Sequence, residues 1–132
     1  MKPDPEYTRK LLTAFEEVPK PTTDIFDLEE RGLDYSSNEF LFHMRLLNDD
    51  GFVVREDEAR GIGVDRSADG IYAWSALPLR LTASGHEFAM AMRSELGFQA
   101  VKKSAILPGL KFMRDVAVGA VKAELIKHGL PL

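Results

Sequence analysis

Gly51 and Thr82 constrain this chain more than any other feature, because each marks where a helix meets a strand. In LLNDDGFV, Leu46 to Val53, Gly51 sits just past an apolar-periodic run. That is the position where a left-handed residue closes a helix, and Phe52 can then touch Leu47 in a Schellman closure. Upstream, Ser36-x-x-Glu39 reads as a capping box, with Tyr35 and Phe40 at the staple positions. A helix is therefore expected over 36–50. In LTASGHEF, Leu81 to Phe88, Thr82 is a natural N-cap for a helix running to Leu96, with Phe88, Ala91, Met92 and Leu96 on one face. Gly85 lets that helix approach the preceding strand closely. Between the two points lie FVVRE (52–56), a β-branched run, and DEARGIGVDRSADG (57–70), a charged, glycine-rich loop. IYAWSALPLRL (71–81) then reads as a return strand with Pro78 at an edge or bulge. The expected unit is a hairpin with a long loop, flanked by two helices.

The remaining elements are simpler. Asp4 as cap, Pro5 at the first helical position and Glu6 in the first turn open a helix with Tyr7, Leu11, Phe15 and Val18 on one stripe, and Pro19 and Pro21 end it. TTDIFDLEERGLDY (22–35) is ambiguous; a short strand at 24–28 is the expectation. Gly97 is expected to break the helix from Thr82. A short helix over 98–107, a break at Pro108-Gly109 and a last helix over 110–128 follow. Ala117, Gly119, Ala120 and Ala123 on that last helix are small enough for close packing by another helix.

With 132 residues, the chain is expected to form one core with an appendage. It lacks cysteine, which excludes disulfides, thiolate metal sites and a cysteine nucleophile. No apolar run approaches a membrane span, and MKPDPEYTRK lacks the apolar stretch of a signal peptide, so a cytoplasmic protein is expected. Net charge is −4, unevenly spread: residues 1–92 hold 10 basic and 18 acidic side chains, whereas 93–132 hold 7 and 3. The body should repel a polyanion and only the tail attract one.

The order helix, short strand, helix, strand, loop, strand, helix resembles a winged helix-turn-helix domain. Leu47, Gly51, Phe52 and Val53 match the helix end that leads into the wing; Leu81, Thr82 and Gly85 match the "LTxxG" that ends its second strand. Over nearly the whole chain the sequence also resembles an uncharacterised bacterial and phage family, domain of unknown function twenty-five thirteen, found on mobile elements. The YTRKLL helix, the pattern of Ser36, Glu39, His43, Leu46, Leu47 and Gly51, the segment Leu79 to Phe88 and the lysine-bearing tail carry that likeness. The extended, glycine-rich wing loop departs from it. The resemblance implies an α+β winged-helix fold over 1–96, a helical extension over 97–132 and a mobile-element context, but no reaction.

Catalytic and metal chemistry find little support. Ser84 and His86 point roughly 200° apart on a helix, so with Glu87 they form no triad. His43, His86 and His128 fall on three helices without ligand spacing. Gly61-Ile62-Gly63 is not a phosphate fingerprint, since Arg66 stands where its third glycine would be. No enzyme activity, cofactor or metal is expected.

By position, helix 36–50 would be the recognition helix. Its outward stripe is Asn38, Phe42, Arg45 and Asp49. Asn38 and Arg45 could read base edges, and Arg55, Arg60 and Arg66 on the wing could enter a minor groove. Asp49 would repel phosphate, Phe42 and Leu46 are apolar where a groove-facing helix is polar, and the wing is net acidic. The expected function is a DNA-binding transcriptional regulator of a mobile element. The alternative is a winged-helix interaction module, antitoxin-like or counter-defence, that binds protein and no nucleic acid. A homodimer through 108–128 is a further expectation, against which stands that helix folding back on the core.

Overall fold

In the computed structural model, residues 1–104 and 109–129 are described. Helix α1, Pro5–Glu17, starts where its capping chemistry dictates: the Asp4 carboxylate accepts from the Glu6 and Tyr7 amides at 2.9 and 3.3 Å. It stops at Val18, held extended ahead of Pro19. The expected stripe faces inward, with Leu11, Phe15 and Val18 buried and Leu12 beside them.

The strand expected at 24–28 is instead a helix, α2, Ile25–Glu29. Two aspartates decide this. The Asp27 amide donates to the Asp24 carboxylate at 2.9 Å, and the Asp24 amide donates to the Asp27 carboxylate at 3.0 Å. This is a reciprocal cap built on aspartate rather than the Glu or Gln of the usual pattern. The segment's β pairing falls just before it, where Thr23 and Leu79 exchange backbone hydrogen bonds at 2.8 and 2.9 Å.

Helix α3, Asn38–Asp49, begins later than expected. Its cap is Ser37, whose hydroxyl accepts from the Phe40 amide at 3.1 Å. Ser36 is taken by the Asp34 carboxylate, which accepts from both its amide and its hydroxyl. The Ser36–Glu39 box therefore does not form; Tyr35 packs against the core and meets Phe26 edge-on at 6.0 Å. The far end closes as the sequence requires: Gly51 has φ +74°, its amide reaches the Asn48 carbonyl at 3.0 Å, and the Phe52 amide reaches the Leu47 carbonyl at 2.8 Å.

Four strands follow: β1 Val53–Arg55, β2 Val64–Arg66, β3 Tyr72–Trp74 and β4 Leu79–Leu81. They form two antiparallel pairs, β1 with β4 and β2 with β3. The loop 57–70 thus contains a strand, and the expected single return strand is two, divided ahead of Pro78. The inner hairpin is tied down by buried Ile62 and by Trp74, whose ring meets Phe40 of α3 edge-on at 5.2 Å.

Helix α4, Ala83–Arg93, is capped by the Thr82 hydroxyl, which accepts from the Gly85 amide at 3.1 Å. It ends at Ser94, not at Gly97, and Leu96, expected on its inner face, is exposed. Gly97 lies inside α5, Glu95–Lys103, which starts earlier than the expected 98–107; positions 105–108 of the expected helix and break lie outside the described residues. Helix α6, Leu110–Lys127, follows. Phe98, Val101, Leu110, Met113 and Ala117 join the same core as Phe15, Phe88 and Met92, so α5 and α6 fold back onto α1 and α4. Among the described residues the architecture is α+β, with six helices and two small sheets.

Two glycines set the helix approaches. A Cβ on Gly85 would stand 2.2 Å from the Phe52 carbonyl oxygen, and one on Gly97 would stand 2.1 Å from that of Ala91. Both obstacles are backbone and cannot swing aside. Gly85→Ala and Gly97→Ala should each cost about 2 kcal/mol or more despite alanine's better helix propensity, read as a fall in the urea midpoint.

Candidate interaction face

Helix α3 and the β2–β3 hairpin stand side by side, held by the Phe40–Trp74 contact. Between them lies a groove of about 410 Å³ lined by Tyr35, Ser36, Ser37, Asn38 and Leu41 on one wall and by Gly70, Ile71, Tyr72 and Trp74 on the other. Ile71 is 64% exposed and Tyr72 38%, so the hairpin wall offers apolar and aromatic surface to a visitor.

Five of the six expected recognition residues divide between two places, and Phe42 lies in neither. Asn38 is exposed in the groove, and the Arg45 guanidinium lies 5.0 Å over the Tyr72 ring beside it. Arg66 stands opposite Tyr72 in the β2–β3 register, so their side chains share a face. Arg55 and Arg60 lie elsewhere, in a groove of about 480 Å³ with Asn48, Asp49, Glu58 and Arg80. Arg55 is engaged by Asp57 through both guanidinium and carboxylate, a pairing that holds Asp57 below the usual carboxylate range and raises Arg55. Phe42 is half-buried, edge-on to the His43 ring at 5.3 Å.

These cations do not add up to a basic face. Arg45 is the lone cation of 36–50, against Glu39, Asp49 and Asp50; Arg55, Arg60 and Arg66 stand among Glu56, Asp57, Glu58, Asp65 and Asp69. The groove wall of Ile71, Tyr72 and Trp74 was in the sequence only as a strand-like run. Its aromatic content was visible, but its exposure depends on the β2–β3 pairing.

Of the three histidines, His43 is structural. It is buried, with Nδ1 2.7 Å from the Glu39 carbonyl and Nε2 accepting from the Asp4 amide at 2.9 Å. One nitrogen must donate and the other accept, which defines the neutral Nδ1–H tautomer. Its ring also stacks at a tilt on Tyr7, 4.6 Å between centroids. His86 is exposed on α4. Among the described residues no three His, Asp or Glu side chains gather closely enough to hold a metal ion, and no helix is long and apolar enough to cross a membrane. No family model, curated protein or solved structure matches the chain.

Burial pushes the His43 pKa below its ordinary 6.5, against the opposing pull of the Glu39 carbonyl and the Asp4 and Glu39 carboxylates. Below pH 6.5 the unfolded chain therefore takes up this proton more readily than the folded one. The contribution is complete above that pH and is lost progressively as pH falls toward the depressed folded value. Urea midpoints between about pH 7.5 and about pH 5.5 should fall in the wild type. His43→Gln should be less stable at both pH values and should lack this part of the slope.

Proposed function

We propose that the chain is a winged-helix protein-interaction module whose α3–hairpin groove takes an apolar segment of a protein partner. The observation that carries this is the chemistry of the groove. Where a winged helix would meet DNA, the surface offers Ile71, Tyr72, Trp74 and Leu41, while Arg45 lies over Tyr72 and Arg55 is paired with Asp57. Enriched aromatics with an arginine among them and few other charges is the composition of a protein-interface core. The winged-helix reading itself is supported by the Thr23–Leu79 bridge, which gives the β1–β4 pair a third strand position, and by α2 preceding α3. The acidic body and the apolar stripe extend the reading to an antitoxin-like or counter-defence role, and the family resemblance adds the mobile-element context, exercised in the cytoplasm by binding rather than catalysis.

A second reading, the DNA-binding regulator, is favoured by the arginines beside the groove, Arg45 and Arg66, and by the basic tail. The two part in a low-salt gel shift with mixed duplexes. The interaction module shows no shift there, whereas a shift that weakens steeply with added salt would establish the DNA reading instead.

Trp74 is the single tryptophan and lines the groove, so its fluorescence reports occupancy. Peptides selected from a random displayed library against the folded protein should be apolar and should shift Trp74 emission. Ile71→Asp, at an exposed position, should weaken them about tenfold or more. Selected peptides that bind Ile71→Asp equally well and leave Trp74 unmoved would remove the groove from the proposal.

A further inference from the structure

Helix α6 has a second apolar face that the core uses only at Val116, which is half-buried against it. Its inner face, Leu110, Met113 and Ala117, is buried against α4 and α5. On the opposite side Phe112, Val116, Gly119, Ala123 and Ile126 recur at spacings of four, three, four and three residues. At 3.6 residues per turn those five lie within roughly 40° of one line. Phe112 is 46% and Ile126 61% exposed, Gly119 and Ala123 are exposed, and a Cβ on Gly119 would meet nothing within 4 Å. This is the spacing of a two-helix seam, with Val116 and Ala123 at a and Phe112, Gly119 and Ile126 at d.

The charges beside the seam choose the occupant and its direction. In that heptad Asp115 and Lys122 are both g residues, and Lys127 is an e residue. A parallel pair would set Lys122 of one helix against Lys127 of the other, with repulsion on both sides of the seam. An antiparallel pair sets g against g, so Asp115 of each copy meets Lys122 of the other, twice by symmetry. The same arrangement lays Phe112 over Ala123 and Val116 over Gly119, large against small. Among the described residues Lys122 has no ion pair, and exposed Asp115 is paired only with its partly buried neighbour Arg114, at 2.7 Å. Glu87 of α4 lines a groove of about 340 Å³ with Asp115, Gly119 and Lys122, a further carboxylate for an arriving lysine.

We propose that the chain self-associates as a twofold, antiparallel dimer through this face of α6, an isologous contact in which each copy supplies the same seam. The inference is independent of the α3 groove.

Sedimentation equilibrium across the micromolar range tests it on the full chain. The wild type should be a dimer in equilibrium with monomer. Ala123→Glu should raise the dissociation constant about tenfold or more, with circular dichroism unchanged because the position is exposed. Asp115→Lys and Lys122→Asp should each weaken the dimer, and the double exchange should restore it. A wild type that stays monomeric, or a dimer indifferent to Ala123→Glu, overturns the proposal. If Lys122→Asp alone strengthens association, the helices pair in parallel and the antiparallel arrangement is wrong.

Discussion

The carbonyl of Phe52 is the point on which the two halves of the fold turn. It accepts the Thr82 amide at 2.9 Å, and the missing Cβ of Gly85 lets helix α4 sit directly against it. The Thr82 hydroxyl works in both directions, accepting from the Gly85 amide and donating at 2.6 Å to the Gly51 carbonyl. One side chain thus caps α4 and fastens it to the closing turn of α3. With that junction fixed, the aromatic rings of Phe52 and Phe88 meet at 5.0 Å in the core. Ser84, His86 and Glu87, which look like a reacting trio in the linear sequence, are the first turn of the helix so anchored. Ser84 accepts from Arg114 of α6 at 3.0 Å, while His86 and Glu87 are exposed.

Sequence made this junction legible because its determinants are local. A cap, a left-handed glycine and a proline stop act over three or four residues, and α1, the end of α3 and the start of α4 follow from them. Misreadings occur where one local rule competes with another or where a distant partner decides. Ser36 and Ser37 are equally good caps until Asp34 takes the first. Ile25 and Leu28 fit a strand or a helix until Asp24 and Asp27 cap each other. Gly97 reads as a breaker because glycine disfavours helices, yet it is helical since only glycine fits beside the Ala91 carbonyl.

The candidate face was half legible for the same reason. Asn38 and Arg45 follow from helical periodicity and do share a face. Their companions on the hairpin depend on β2 pairing with β3 and on Trp74 reaching Phe40, contacts that no local signal encodes. Phe42, read as outward, is half-buried and edge-on to His43, whose ring is held by the Asp4 amide that opens α1.

The charge pattern around α3 separates what the scaffold permits from what its surface does. Asp49 and Asp50 stand at the C-terminal end of α3, where the helix dipole already concentrates negative charge and a lysine or arginine would be favoured. Arg55, Arg60 and Arg80 line the groove that Asp49 enters. Arg55 is paired with Asp57, and Arg80 stands 3.4 Å from Glu56. Two of these three arginines therefore neutralise carboxylates of the segment that follows β1. An incoming phosphate would have to compete with those carboxylates for Arg55 and Arg80. An apolar segment entering beside Tyr72 and Trp74 would face no such competition.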